Sequence, residues 1–201
     1  MQDRVEPDDA PVTEVLLDRR NVRGLAHPLR IKMLGLLREL GPATATGLAQ
    51  RLGESSGATS YHLRQLAQYG FIVEAEGMGT RRQRWWRAAH QTTSFDLTGD
   101  VGDEEQTLGL EYLRGVAAYN CAAIVDWVDG VAHQPKEWSE ASTISDWLLR
   151  LTPTQTSELM AELTATLERY RSEVSDTAQG EQSSVIVQLQ VLPRLGPESD
   201  A

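Results

Sequence analysis

Apolar residues recur at helical spacing near the middle of the first hundred residues. Leu48 and Leu52 lie one helical turn apart, Thr44 ahead of them suits the N-cap position, and Gly53 follows as a terminator. The pattern predicts a short helix that ends in a tight turn.

A second helix is predicted directly after this turn, and Gly70 ends it. One face can pack inward and comprises Thr59, Leu63, Leu66 and Ala67. The opposite face carries small or hydrogen-bonding side chains, namely Ser56, Ser60, Tyr61 and Arg64. Such side chains allow close approach to a duplex and can bond to base edges or phosphates, as a recognition helix requires. His62 and Gln65 are secondary candidates for the same role.

A basic β-hairpin is predicted next. Residues 71–76 (FIVEAE) indicate a strand, 77–79 a glycine-rich turn and 82–87 (RQRWWR) the returning strand. The arginines Arg81, Arg82 and Arg84 fall at or near the tip, where guanidinium groups suit phosphate contact or minor-groove insertion. Adjacent strand residues point to opposite faces, so at most one of Trp85 and Trp86 is expected in the core.

Four segments of the chain together resemble one family. LAHPLRIKMLGLL at 25–37, LAQRLG at 48–53, SYHLRQLAQYGFI at 60–72 and the arginine-rich wing are similar to the arsenic-repressor-like (ArsR) winged-helix regulators, over about residues 19–90. The resemblance implies a homodimeric bacterial or archaeal transcriptional repressor that binds a palindromic operator.

The chain departs from the metal-sensing branch of that family. Thr44, Thr46 and Gly47 stand where those members carry paired cysteines, and Cys121 is the only cysteine. One cysteine and four scattered histidines cannot supply a thiolate metal site from one subunit, so no metal or other cofactor is expected. His27, before Pro28, is expected to cap or pack at the start of a helix.

Charge is divided unevenly along the chain. Residues 1–18 carry one Arg against six acids (−5), residues 19–90 carry twelve Lys and Arg against four acids (+8), and residues 91–201 carry six against nineteen (−13). The acidic total of −10 therefore hides a basic domain, which suits double-stranded DNA as a partner.

Other classes find little support in the composition. No apolar run approaches the roughly 18 residues that a membrane span needs, and the N-terminus is polar and acidic, so no membrane association and a cytoplasmic location are expected. No GxxxxGK[ST], GxSxG or HExxH motif occurs, so an enzyme is not expected.

The predicted domains follow these patterns. Residues 1–18 form a disordered or extended arm, in which 12–17 is either a short strand or the start of an extra turn. The winged helix-turn-helix domain spans 19–90, and its first long helix carries apolar residues at helical spacing: Leu25, Leu29, Met33, Leu34 and Leu37. Residues 91–103 are a linker, 104–192 a C-terminal dimerisation or regulatory region, and 193–201 a tail.

A long amphipathic helix is predicted over residues 104–131. In the resembling regulators the helix after the wing forms the dimer interface, which makes this helix a candidate for dimerisation. The alternative is a core helix packed against the later helices of its own chain, and both can hold on different parts of its surface. Cys121, within this helix, is predicted to be a small buried apolar residue.

The rest of the C-terminal region suggests a short helix over 138–151, capped by Ser142 or Thr143, and then a helix through Tyr170 that starts at the capping box 152–155. Alternation over 185–192 predicts a strand that pairs with the wing sheet, with residues 12–17 or with its copy in a dimer.

Three tryptophans, Trp127, Trp138 and Trp147, line either a small-molecule effector pocket or simply the core. Taken together, we expect a mainly α fold with a small β-hairpin wing, a helical C-terminal region and a terminal strand. The expected function is a dimeric repressor on a pseudo-palindromic operator. The alternative is a winged-helix protein-interaction module without specific DNA readout, against which the arginines of the wing argue.

Overall fold

Short strands and helices alternate in the first half of the chain, and long helices follow. The computed structural model describes residues 14–18, 21–78, 83–95, 102–173 and 183–194. Its elements, in order, are β1 (Glu14–Leu17), α1 (Val22–Leu25), α2 (Pro28–Leu40), β2 (Ala43–Thr44), α3 (Ala45–Leu52), α4 (Ser56–Gln68), β3 (Ile72–Glu74), β4 (Trp85–Ala88), β5 (Thr92–Phe95), α5 (Asp103–Gly130), a 3-10 turn (Val131–His133), α6 (Lys136–Ala141) and α7 (Pro153–Glu173). The chain divides into two compact units, Met1–Asp129 and Gly130–Ala201.

Local capping sets the ends of the first helices. The Thr44 hydroxyl accepts a hydrogen bond from the Gly47 amide at 3.1 Å, and Gly53 closes α3 with φ at +66°. The imidazole Nδ1 of His27 accepts from the Leu29 amide at 3.2 Å, which caps α2 as expected. These helix ends are confirmed.

The core of the first unit lies between α2, α3, α4 and β3. The inward face of α4 is buried as predicted, with Thr59, Leu63 and Leu66 each inaccessible to solvent. Leu63 and Leu66 belong to one apolar cluster with residues of α1, α2 and the start of the wing: Leu25, Met33, Leu34, Leu37, Phe71 and Ile72. Burial of this face fixes which side of α4 is left for solvent.

The wing is an antiparallel sheet with one strand more than the hairpin predicted from the sequence. β3 pairs with β4, and β2 pairs with the other edge of β4, giving the order β2-β4-β3. Ala43 and Glu74 both face Trp86, which is 8% exposed, whereas Trp85 on the opposite face is half-buried. The expectation of one core tryptophan is thus confirmed.

A second, two-stranded sheet joins β1 to β5 in parallel register, from Glu14 opposite Thr92 to Leu17 opposite Phe95. The undecided segment 12–17 therefore contains a strand. β5 falls within residues 91–103, so the predicted linker includes a paired strand. Arg38 of α2 anchors the new strand because its guanidinium donates to the His90 carbonyl at 3.0 Å and to the Thr93 hydroxyl at 2.6 Å.

The helix predicted at 104–131 is confirmed as α5, and its first half packs on α2. Tyr112 is buried, and the Tyr119 phenol donates to the carboxylate of Glu39. Burial and that bond raise the pKa of Tyr119, so the phenol keeps its proton. The first compact unit extends to Asp129, so α5 lies with the winged-helix elements, whereas the sequence grouped it with the later helices.

Cys121 is exposed, so its prediction as a buried residue is wrong. It follows Tyr119 by two positions, or about 200° around the helix, and therefore lies opposite the face that packs on α2.

The second unit confirms one predicted helix start. At Thr152 the amide donates to the Gln155 side chain at 3.0 Å, and the Gln155 amide donates to the Thr152 hydroxyl at 3.3 Å. This is the reciprocal capping box that the sequence predicted, and α7 begins at Pro153.

Two other predictions for this unit are wrong. The helix expected over 138–151 is α6, which ends at Ala141, and residues 142–152 are irregular. The Ser142 hydroxyl donates back to the Trp138 carbonyl at 2.6 Å while its own backbone turns extended, so it ends a helix instead of starting one. Residues 183–194, where the sequence predicted a strand, are irregular too.

None of the helices in the described part of the chain is both long enough and apolar enough to span a membrane.

Candidate nucleic-acid interface

Helix α4 presents a polar face to solvent, opposite its buried face. Ser56, Tyr61 and Arg64 are exposed on it, and Ser60 is partly exposed. Tyr61 leaves 53% of its surface in solvent despite its size. The four side chains singled out in the sequence therefore share the accessible side of the helix.

A groove opens where this face meets the wing and the start of α3. It encloses about 390 Å³. Its walls are formed by Thr44, Ala45, Thr46, Ser60, Arg64, Gln83, Arg84 and Trp86. We call this concavity the α4 groove. It brings together three predicted residues, Ser60 and Arg64 of α4 and Arg84 of the wing.

The guanidinium groups of Arg64 and Arg84 line the α4 groove. The Arg64 Nε donates to the Ser60 carbonyl at 3.1 Å, which uses one of its five N–H donors. The Arg84 Nε lies 3.8 Å from a Glu74 carboxylate oxygen, and the two side chains are 69% and 52% exposed. An ion pair that is this long and this exposed contributes little free energy. The positive charge of the two guanidinium groups in the groove can therefore attract an anion.

The other wall of the groove is the first turn of α3. Thr44 caps this helix, Thr46 is exposed beside it, and Gln83 faces them from the wing. Backbone N–H groups and the helix dipole favour a negative group at such a start. Sequence reasoning missed Thr46 and Gln83 as lining residues. Two sequence features could have indicated them: Thr46 forms a pair with Thr44 at a helix start, and Gln83 lies between two arginines.

His62 lies apart from the exposed face. Its ring centroid is 4.4 Å from that of His27 and 5.2 Å from that of Tyr61, and its Nδ1 is buried with no hydrogen-bond partner among the described residues. Burial, His27 and Arg30 lower the pKa of His62, so the ring is neutral at pH 7. This secondary candidate is placed between α4 and α2.

The remaining predicted site residues, Gln65, Arg81 and Arg82, do not line the α4 groove as the structure describes it. Gln65 is half-buried, and its side-chain Nε2 donates a hydrogen bond to the side-chain Oε1 of Gln68 at 3.4 Å. Arg81 and Arg82 lie outside the described residues.

For metals and effectors, the structure adds two observations. Among the described residues, no three His, Cys, Asp or Glu side chains come together to hold a metal ion. Trp147 is 79% exposed, and Trp127 and Trp138 belong to different compact units, so an effector pocket lined by tryptophan stays a prediction.

Comparison with known families agrees with this architecture. Residues 25–75, from the end of α1 to just past β3, match the family model described as a helix-turn-helix domain. The fold is a winged helix-turn-helix. The match supports a DNA-binding transcription regulator. No curated protein matches the chain.

Among solved structures, the winged helix-turn-helix chain is similar to a mutant Lactococcus lactis ZitR in its apo form, at 14% identity over 72% of this chain and 83% of that one, with a TM-score of 0.32. It is also similar to the transcriptional regulator Tm0710 from Thermotoga maritima (13%, 76% and 87%, TM-score 0.30). A third is NMB1585, a MarR family regulator from Neisseria meningitidis (16%, 73% and 77%, TM-score 0.29). Likenesses this low carry no argument about function.

Proposed function

We propose that the chain is a sequence-specific DNA-binding transcription regulator, acting as a dimeric repressor on a pseudo-palindromic operator in the cytoplasm. The observation that supports this most directly is the α4 groove, where the exposed face of a recognition helix meets a basic wing. A net charge of +8 over residues 19–90 gives the surrounding surface the sign that DNA attracts.

Within this proposal, contacts divide into readout and positioning. The residues that enter the major groove and contact base edges are Ser56, Ser60, Tyr61 and Arg64. Arg84, with Arg81 and Arg82 near the wing tip, contacts phosphates or the minor groove. The first turn of α3 takes a backbone phosphate, since its N–H groups and hydroxyls border the α4 groove.

Dimerisation is proposed through the free face of α5. Opposite the surface that packs on α2, an exposed stripe follows the spacing of a helix–helix seam: Ala117, Cys121, Ile124 and Val128. Val125 beside it is 56% exposed. The proposal requires that a second copy on this stripe hold the two α4 helices in successive major grooves, about 34 Å apart.

The test is fluorescence anisotropy of the purified chain on the DNA upstream of its own gene, against scrambled DNA, from about 50 to about 200 mM salt. Arg64→Ala should lose about 1–3 kcal/mol of preference for the specific DNA. Lys32→Ala is the matched control, because Lys32 is exposed on α2 and does not line the groove.

The proposal predicts selective binding that Arg64→Ala weakens by this amount and Lys32→Ala retains. Equal binding to both DNAs would refute sequence-specific readout. Absence of DNA binding at about 50 mM salt would favour the protein-interaction alternative. Tight binding to a single asymmetric half-site would contradict the dimeric geometry.

A further inference from the structure

Residues 145–151 (SDWLLRL) are exposed along their whole length, although most of them are apolar. The segment lies between α6 and α7 and has no regular secondary structure. The exposed fractions of its apolar residues are 79% for Trp147, 75% for Leu148, 55% for Leu149 and 41% for Leu151. A contiguous apolar surface of this kind marks an interaction site.

The order of these residues suits one antiparallel pairing. If two copies run antiparallel with Leu148 opposite Leu148, Trp147 of each copy faces Leu149 of the other. Leu151 shares their face, because alternate strand residues point to the same side of a sheet. Cross-strand pairs of an aromatic and an aliphatic side chain stabilise such a ladder because they remove apolar surface from water.

Charge complementarity favours a second copy as the occupant. In the same register, Asp146 of each copy faces Arg150 of the other, on the opposite side of the ladder from Trp147. Neither charged side chain has an ion-pair partner among the described residues. Residues 141–157 contain no other charged side chain, within a region, residues 91–201, of net charge −13. A uniformly acidic or basic partner would meet one like charge here, whereas a second antiparallel copy complements both charges.

We propose that residues 145–151 pair with the same residues of a second copy, as a two-stranded antiparallel ladder whose two-fold axis passes at Leu148. A two-fold contact uses the same patch on both copies, as this pattern does. The inference does not rest on DNA binding or on dimerisation through α5.

Disulfide trapping in the full-length chain tests the register. In a Cys121→Ser background, Leu148→Cys places two thiols directly opposite each other across the axis. Ser145→Cys is the matched control, because position 145 faces position 151 of the copy and its two thiols lie about 20 Å apart along the ladder. A disulfide requires Cβ atoms about 3.5–4.5 Å apart, which only the first variant approaches. Under mild oxidation at micromolar protein, Leu148→Cys should form covalent dimers at least about ten times faster, because paired strands hold the thiols at a high effective concentration.

Charge reversal tests the pairing of Asp146 with Arg150 between copies. In the Leu148→Cys chain, Asp146→Arg or Arg150→Asp alone places like charges opposite each other twice and should slow trapping at least about fivefold. The double variant should restore the rate. When the two single variants are mixed, dimers that contain one copy of each, identified by mass, should form at about the original rate, because each copy then meets its complement. A pair formed within one chain would be rescued by the double variant but not by mixing.

Three results would overturn the proposal, even if α5 dimerises and DNA is bound. The first is an equal trapping rate for Leu148→Cys and Ser145→Cys. The second is trapping that neither charge reversal slows. The third is a mixture in which mixed dimers form no faster than the dimers of each single variant.

Discussion

Substitutions of two neighbouring side chains, Glu74 and Arg84, should change DNA affinity in opposite directions. The Arg84 Nε lies 3.8 Å from a Glu74 carboxylate oxygen at the edge of the α4 groove. If this groove receives a DNA phosphate, Glu74 competes for the guanidinium and repels the phosphate. Glu74→Gln should therefore tighten DNA binding, and Arg84→Ala should weaken it.

The exposure of the pair sets the magnitude. Side chains that are 52% and 69% exposed form a pair worth at most about 1 kcal/mol, so releasing Arg84 should increase affinity by up to about fivefold at low salt. For Arg84→Ala, losing one phosphate contact lowers the slope of log K against log salt by about 0.9. A fourfold rise in salt lowers the affinity of both proteins. The factor by which it falls should be about 3.5 times smaller for the variant than for the unmodified chain.

The assay is anisotropy at several salt concentrations on specific and scrambled DNA. Both substitutions should act equally on the two DNAs, because a phosphate contact carries no sequence information. Glu111→Gln, which removes an equal charge from an exposed position on α5, is the control. If Glu74→Gln matched Glu111→Gln at low salt, or if Arg84→Ala left the salt slope unchanged, the assignment of Arg84 to a phosphate would be refuted.

Two further predictions concern packing. A Cβ at Gly24 would lie 2.6 Å from the Phe71 ring. Gly24→Ala should therefore lower the free energy of unfolding, measured in urea, by about 1–3 kcal/mol. Gly57→Ala is the control and should not lower it, because a Cβ there would have nothing within 4 Å. If α5 forms the dimer seam, the Cys121 thiol should react slowly with a disulfide reagent, and Ile124→Asp should restore fast reaction; equal rates would contradict the seam.

Features with local causes were predictable from the sequence. Thr44, Gly53 and the Thr152–Gln155 box act within one helical turn, and each performs its predicted role. The two faces of α4 follow from spacing alone, since Leu63 and Leu66 fix the buried side.

Features that depend on distant residues were not predictable. β5 exists because it pairs with residues about 80 positions earlier, and Arg38 anchors it across more than 50 positions. The same reason applies within the site. Periodicity placed His62 beside Tyr61, but its packing on His27 depends on how α2 crosses α4.

Helix α2 connects the proposed dimer helix to the recognition helix. At its C-terminal end, Glu39 bonds to Tyr119 of α5, and at its start His27 packs on His62 of α4. Ile31, between these ends, belongs to the same buried cluster as Tyr112 and Leu63. Because these contacts are made by packed helices without an intervening loop, a dimer formed through α5 would fix the separation of the two α4 helices. The half-site spacing of the operator would then be set by the α2–α5 packing.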